Sequence, residues 1–444
     1  MRSSCHLFST RSIFVPAPQP TCPKTYPNCC HLLRDGALFA LFALLTAFGV
    51  FAQEPGAGAG VTSTTIRIGS VLDLDGEARM RGTALKTGLE TALRSEKIQG
   101  RTIELIVQND SFDQKKAIEA TKQMIKQGIF AMIGNASGPS VKAILPLLSE
   151  NNIPAVGFSI GVDYLRPGVG GIVNYRASFA QESKLVIDTA LAAGVKPQEI
   201  CAYLPNDAGG IANLNAIKVM LAKQPAMAET VNKIQQIINM SGEEPNRNGI
   251  GPVGFYSRHT QMQVRPGYDS LKQWEKAANT RCRLVMLVGG TNPPTSSFIG
   301  YTRYKGEKWT ISVTSQVEVP TLLNDLRNYQ VADKIALTQV VPALDSSLAI
   351  VEAARKDLGD RFDSSSLEGY IVGKMFLAAM RSVKGEISRG NFLNAVRGHT
   401  FDLDGLTLDF TGDNQGSDLV QFYSLENGDF KPQTPQQAQK AFQQ

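Results

Sequence analysis

The sequence predicts an α/β protein built from doubly wound parallel sheets in two lobes. Three observations carry this expectation. Short apolar, β-branched runs alternate with segments of helical spacing. The runs are apolar throughout rather than every second residue, as expected for parallel strands covered on both faces. The alternation stops after residue 158 and restarts after Ser178, which suggests two units of ordinary domain size. In the first block Thr65–Leu72 reads as a strand, Arg81–Arg94 as a helix, Thr102–Gln108 as a strand and Lys115–Gln127 as a helix. Strand Phe130–Ile133, helix Ser140–Glu150 and strand Ala155–Phe158 complete it. The second block runs through helix Gln181–Ala193, strand Ile200–Leu204 and helix Ile211–Lys223. Strand Val253–Tyr256, helix Leu271–Ala278, strand Leu284–Val288, helix Thr295–Tyr304 and strand Thr310–Val313 follow. Between two of its strands, Pro225–Pro252 reads as an insertion with a helical patch at Glu229–Met240. Two further helices are expected at Leu348–Leu358 and Leu367–Val383.

Residues 1–52 read as a secretory leader. The apolar run Ala37–Phe51 follows Arg34 and ends in small residues at Val50 and Ala52, the pattern of a cleaved signal peptide. Fifteen apolar residues fall short of the roughly 20 that span a bilayer. The stretch before Arg34 is unusually long for a leader, and translation is expected to start near Leu32 or Leu33. Residues 53–64, with Gly56-Ala57-Gly58-Ala59-Gly60, read as a flexible tether, since no strand precedes these glycines as a dinucleotide fingerprint requires. The full chain carries 45 basic and 40 acidic residues. Loss of residues 1–52 removes four basic residues and one acidic residue, leaving 41 against 39, a net charge of +2. That balance excludes the clustered positive charge of a nucleic-acid or membrane surface. Of six cysteines only Cys201 and Cys282 lie beyond the leader, each at the start of an apolar run. They read as two buried thiols in preference to a disulfide.

In open α/β sheets ligands bind beyond the carboxyl ends of strands, at helix N-termini. That rule selects four loops. After the third strand, Gly134-Asn135-Ala136-Ser137-Gly138-Pro139-Ser140 enters a helix. Its hydroxyls and free N–H groups suit the anionic end of a small molecule, and Ser137 or Ser140 could equally cap the helix. Gly157-Phe158-Ser159-Ile160-Gly161 follows the fourth strand and has the spacing of a hydrolase nucleophile elbow. The elbow requires an immediate helix, whereas Pro167-Gly168-Val169-Gly170-Gly171 follows; only His259 and His399 could serve as base. In the second block Asn206-Asp207-Ala208-Gly209-Gly210 and Gly289-Gly290-Thr291-Asn292 occupy strand ends, and Ser315-Gln316 follows another. No zinc constellation and no phosphate loop is present. Asp73, Asp75, Asp402, Asp404 and Asp409 lack the spacing of a calcium loop and read as solvated turns.

Two tags near the C-terminus carry a resemblance: Glu368-Gly369-Tyr370 at a long apolar helix, and Gly405-Leu406-Thr407-Leu408-Asp409-Phe410 followed by Gln415-Gly416-Ser417. Together they resemble the branched-chain amino acid binding family, the type I periplasmic binding proteins of ABC transporters, along residues 65–432. The resemblance implies three crossings between lobes, near Tyr175–Phe179, Leu337–Pro342 and Thr411–Ser417. Lobe 1 is then 65–176 plus 340–412, and lobe 2 is 177–339 plus 413–435. It further implies a monomeric periplasmic receptor, without cofactor or metal and without enzymatic activity, that delivers a small polar ligand to a permease. Ligand-binding residues would be Ser137, Gly138, Ser140, Ser159, Gly161, Asp207, Gly209, Thr291, Asn292 and Gln316. Gly209 stands where the family usually has an aromatic residue, and Gln316 where amino-acid binders usually have an acid. A neutral amide cannot neutralise a desolvated ammonium group, which leaves two readings: Glu318 compensates and the ligand is an amino acid, or the ligand lacks an amine, as in a carboxylate, amide or aromatic acid. A sensor of the same fold and a hydrolase using Ser159 are the alternatives.

Overall fold

The computed structural model describes residues 59–166, 170–242, 244–257 and 263–443 of the 444-residue chain. The leader, most of the tether, Pro167-Gly168-Val169 and His259 lie outside the described residues. Among the described residues no helix is long and apolar enough to cross a membrane.

The first unit alternates as β1 (Thr65–Leu72), α1 (Arg79–Leu93), β2 (Lys97–Ile98), β3 (Arg101–Asn109), α2 (Gln114–Gln127), β4 (Ala131–Ile133), α3 (Gly138–Glu150), β5 (Ala155–Val156) and β6 (Ile172–Val173). These strands form a six-stranded sheet in the order β2-β3-β1-β4-β5-β6, parallel except at β2–β3. The chain then builds α4 (Phe179–Ala192), β7 (Ile200–Pro205), α5 (Ala208–Leu221), α6 (Ala228–Asn239), β8 (Val253–Tyr256), α7 (Val264–Ala277), β9 (Leu284–Leu287), α8 (Asn292–Tyr304), β10 (Thr310–Val313), α9 (Val319–Asn328) and β11 (Ile335–Gln339). After α10 (Ala349–Leu358), α11 (Ser364–Ser382) and α12 (Arg389–Val396) come the hairpin β12 (Thr400–Leu403) and β13 (Leu406–Asp409), then β14 (Gln421–Glu426), β15 (Asp429–Pro432) and α13 (Pro435–Lys440). The second sheet is ordered β15-β14-β11-β10-β9-β7-β8, parallel except that β14 runs antiparallel to both of its neighbours, β11 and β15. The fold class is therefore the expected one: two doubly wound, mainly parallel sheets.

Helices α1 and α11 cover one face of the first sheet, where Leu89, Ile133, Ile371 and Phe376 share a buried cluster. Their approach is close. A Cβ on Gly369 would lie 2.3 Å from Leu85 O, and one on Gly88 would lie 2.0 Å from Ser366 O. Glycine at both positions lets the two backbones touch. In the second unit Tyr203, Phe298, Trp309 and Leu326 form a cluster on one sheet face, while Leu204, Leu214 and Ile217 pack on the other.

The chain passes between the two sheets three times, and the passages lie side by side. Asn174 N donates to Asn414 O at 2.7 Å and Gly416 N to Asn174 O at 3.0 Å, joining the first passage to the third. Tyr175 OH donates to Val340 O at 3.0 Å, joining the first to the second.

Two readings need correction. Cys201 and Cys282 form a disulfide, with Cα atoms 5.8 Å apart, rather than two separate thiols. Strand β7 pairs with β9, placing Cys201 beside Val285, and Cys282 lies two residues before β9; adjacent strands bring the two within bridging range. Secondly, neither Ser137 nor Ser140 caps α3 through its side chain: Ser137 occupies the N-cap position without a side-chain bond, and Ser140 lies against the buried Asp110 carboxyl. By contrast, the loop with elbow spacing is followed, as the sequence suggests, by no helix but by a single 3-10 turn at Asp163–Leu165.

Candidate functional site

The carboxyl ends of both sheets face one another across a cleft. From the first unit come the loop Asp73–Ala78 leading into α1, the loop after β4, and Ile160. Asp73 shapes the first of these by accepting from Gly76 N at 2.6 Å and Ala78 N at 2.7 Å. From the second unit come the N-termini of α5, α8 and α9. Asp207 caps α5 by accepting from Gly210 N at 2.9 Å. A Cβ on Gly138 would lie 3.8 Å from Gly209 Cα, so the N-termini of α3 and α5 meet almost backbone to backbone.

The cleft has two parts. An inner cavity of about 20 Å³ is lined by Ala136, Gly138, Ile160, Asp207, Gly209, Asn213, Gly289, Thr291 and Gln316. An outer cavity of about 310 Å³ shares Thr291 and Gln316 and adds Glu77, Arg79, Arg81, Asn292, Asp325 and Tyr329. Three hydrogen bonds span the two units. Gln316 Nε2 donates to Ala136 O at 3.3 Å, Arg81 Nη1 donates to Ser315 O at 3.1 Å, and the Thr291 hydroxyl donates to the Glu77 carboxylate.

Of the residues expected from sequence, Gly138, Asp207, Gly209, Thr291, Asn292 and Gln316 line the cleft. Ser137, Ser140, Ser159 and Gly161 stand behind its wall. Gly161 O accepts from Phe179 N at 2.7 Å. Ser159 Oγ accepts from Arg81 Nη2 at 2.7 Å. A guanidinium does not accept a proton, so it cannot activate this hydroxyl as a nucleophile. His399 is exposed in a loop, its Nδ1 2.8 Å from Arg397 O. The Asn292 side chain clamps the next loop, donating to Glu318 O at 2.7 Å and accepting from Glu318 N at 2.8 Å.

Sequence reasoning missed Glu77, Arg79 and Arg81. The rule that selected the loops after the third and fourth strands applies equally to β1, whose loop enters α1. It also missed the charged network beneath the cleft. Glu368 Oε2 accepts from Arg81 Nη2 at 2.7 Å, and Oε1 from Arg176 Nη1 at 3.3 Å. Arg176 Nη2 donates to Glu182 Oε1 at 2.8 Å. Glu182 in turn accepts from Ser315 N at 2.9 Å and from the Thr338 hydroxyl. Two arginines and two glutamates, none more than 4 % exposed, thus balance one another where all three passages converge. Burial works against the Glu368 charge, yet the Arg176 and Arg81 guanidiniums hold its carboxyl below the usual carboxylate range. Burial pushes the Arg81 guanidinium down, with Glu368 opposing.

Residues 65–227 match the model of the periplasmic binding protein family. A possible leucine/isoleucine/valine-binding protein from Rhodopirellula baltica superposes with a TM-score of 0.73 at 26 % identity, over 84 % of this chain and 98 % of that one. The chain has the fold of the type I periplasmic binding proteins. An extracellular ligand-binding receptor from Verminephrobacter eiseniae gives a TM-score of 0.68 at 18 % identity, over 83 % of this chain and 100 % of that one. A solute-binding protein of an ABC transporter from Rhodopseudomonas palustris, in complex with p-hydroxybenzoic acid, gives 0.62 at 17 % identity, over 82 % and 95 %. No curated protein matches the chain in sequence. These solved neighbours are binding proteins, and the first and last of them are named for chemically different ligands. The Glu-Gly-Tyr tag now has a physical reading. Glu368 ties α11 to Arg81 and Arg176, Gly369 admits α1, and Tyr370 OH donates to Asp357 Oδ2 at 3.0 Å.

Proposed function

We propose that the protein is a periplasmic receptor that encloses a small polar molecule between two lobes and delivers it to the permease of an ABC transporter. The single observation that carries this reading is the cleft between opposed strand ends, bridged by hydrogen bonds from both sides. A ligand seated there gains contacts from two units at once, so enclosure is favoured when the cleft is loaded. The lobes are 65–176 plus 340–412 and 177–339 plus 413–435, with the three side-by-side passages as the hinge. The exported chain begins near Gln53 and acts as a monomer. Gly138, Asp207, Gly209, Thr291, Asn292 and Gln316 contact the ligand, joined by Glu77 and Arg81; Ser137, Ser140, Ser159 and Gly161 shape the wall behind them.

The ligand class is a carboxylate, amide or aromatic acid rather than an aliphatic α-amino acid. Gln316 is neutral. Glu318, the acid nearest to it in sequence, is spent on capping α9, where it accepts from Thr321 N at 2.8 Å, and burial pushes its carboxyl up. Arg81 lines the outer cavity with its Nε buried and without a protein partner, a donor suited to an anion. A thermal-shift screen over amino acids, carboxylates and amides tests this, because a ligand that binds only the folded state raises its stability. A hit among carboxylates or amides, with compaction in small-angle scattering, is the expected result. A saturating ligand that leaves the scattering radius unchanged would refute enclosure.

A further inference from the structure

Helix α9 separates two cavities. Its Thr321 and Asp325, one turn apart, face the cleft. Leu323 and Arg327 face the opposite way, into a pocket of about 520 Å³. That volume lies within the roughly 300–1,000 Å³ of small-molecule sites. The pocket is built from both units. Leu323 and Leu337 come from α9 and β11, and Tyr423 from β14; Val341 and Phe362 come from the segments that lead into α10 and α11.

Its chemistry differs from that of the cleft. The wall is mainly apolar, and Leu344 stands exposed at 39 % among its lining residues. Gln339 also lines it, is only 6 % exposed, and its Nε2 finds no protein partner. An orphaned buried N–H donor is costly, and a ligand oxygen able to accept would satisfy it. The ionic residues of the wall are three acids, Asp345, Asp363 and Asp429, against Arg327 and Lys431. Lys431 is held by Asp429 at 2.8 Å, and Asp363 accepts from Ser366 N at 2.7 Å. The remaining balance is acidic, which disfavours an anion.

We propose that this pocket is a second small-molecule site, taking an uncharged, largely apolar molecule whose hydroxyl or amide pairs with Gln339. Because α9 is the shared wall and the remaining walls come from both lobes, occupancy is coupled to the angle between them and hence to capture in the cleft. The site is distinct from the cleft, and its test does not depend on the cleft ligand being known.

The probe is acetanilide, an uncharged ring with one amide. Methyl-labelled full-length mature protein is titrated and followed by NMR. Saturable shifts are expected at Leu323, Leu337, Val341 and Leu344, with those of Ile160 in the cleft small. Gln339→Leu should weaken acetanilide at least tenfold, and Leu323→Trp, at a half-buried position that tolerates the ring, should abolish binding by filling the pocket. Either no saturable shift at millimolar acetanilide, or shifts centred on Ile160, overturns the proposal. So does binding unchanged in both variants while their remaining methyl spectra show them folded.

Discussion

Replacing Glu368 by glutamine is the sharpest test of the buried network. The substitution keeps the shape of the side chain and removes one negative charge. Arg81 then has no carboxylate partner, and Arg176 keeps only Glu182. Breaking a buried pair by removing one partner costs about 3–5 kcal/mol, because the remaining charge is desolvated and uncompensated. For a lobe of this size that corresponds to a fall in melting temperature of roughly 10 °C. The control is Lys184→Gln, which breaks an exposed helical pair with Asp188 whose members are 58 % and 56 % exposed; it should cost at most about 0.5 kcal/mol. Calorimetry of both variants at neutral pH is the assay. The pH dependence follows from the same carboxyl. Its folded pKa lies below the ordinary value, so the stabilisation is fully present above about pH 4.3, the usual glutamate value. It is lost as pH falls through the depressed folded value. The buried Asp110 and Glu318, pushed up by burial, act in the opposite sense over the same acid range. Glu368→Gln should therefore flatten the acid limb of the stability curve. A variant that melts with the control, or keeps the acid limb of the parent, would refute the reasoning.

Three further outcomes are expected. Changing both Cys201 and Cys282 to alanine should lower the denaturation free energy by about 4 kcal/mol, since the bridge closes a loop with a separation of 81 residues; a denaturation midpoint equal to that of the oxidised parent would argue against the bridge. Gly369→Ala should destabilise by at least about 1–3 kcal/mol, because its new methyl meets Leu85 O at 2.3 Å and α1 must move; unchanged thermal stability would show that the helices sit farther apart. Leucine, isoleucine and valine should bind weakly or not at all in calorimetry, as an ammonium beside Gln316 lacks a free acid and each 1.4 kcal/mol is about tenfold. Dissociation constants near or below about 1 μM would point to Glu77 as the substitute acid.

The strands were the most legible part of this chain. Thr65–Leu72, Val253–Tyr256 and Thr310–Val313 coincide with β1, β8 and β10, because buried parallel strands are short uniform apolar runs bounded by polar turns. Helix starts were read too late: α7 begins at Val264 rather than Leu271, and α8 at Asn292 rather than Thr295. First turns are set by caps and prolines, and apolar spacing is silent there. The hairpin β12–β13 hid behind its aspartates, although Asp404-Gly405 is a turn signature and Asp402 accepts from Gly405 N at 2.7 Å. The network at the cleft floor was illegible for a different reason. Arg81 and Glu368 are 287 residues apart in sequence, and each sits in a helix where a lone charge normally means a solvated face. Sequence shows such a residue's type but not its partner, and only the crossing of α1 against α11 decides between a surface charge and a buried pair. The glycines that permit this crossing, Gly88 and Gly369, are visible in the sequence. A glycine directly beside a lone charge on a long apolar helix, as Gly369 stands beside Glu368, would have been a usable signal: where backbones touch there is no water for that charge, so it must find a partner.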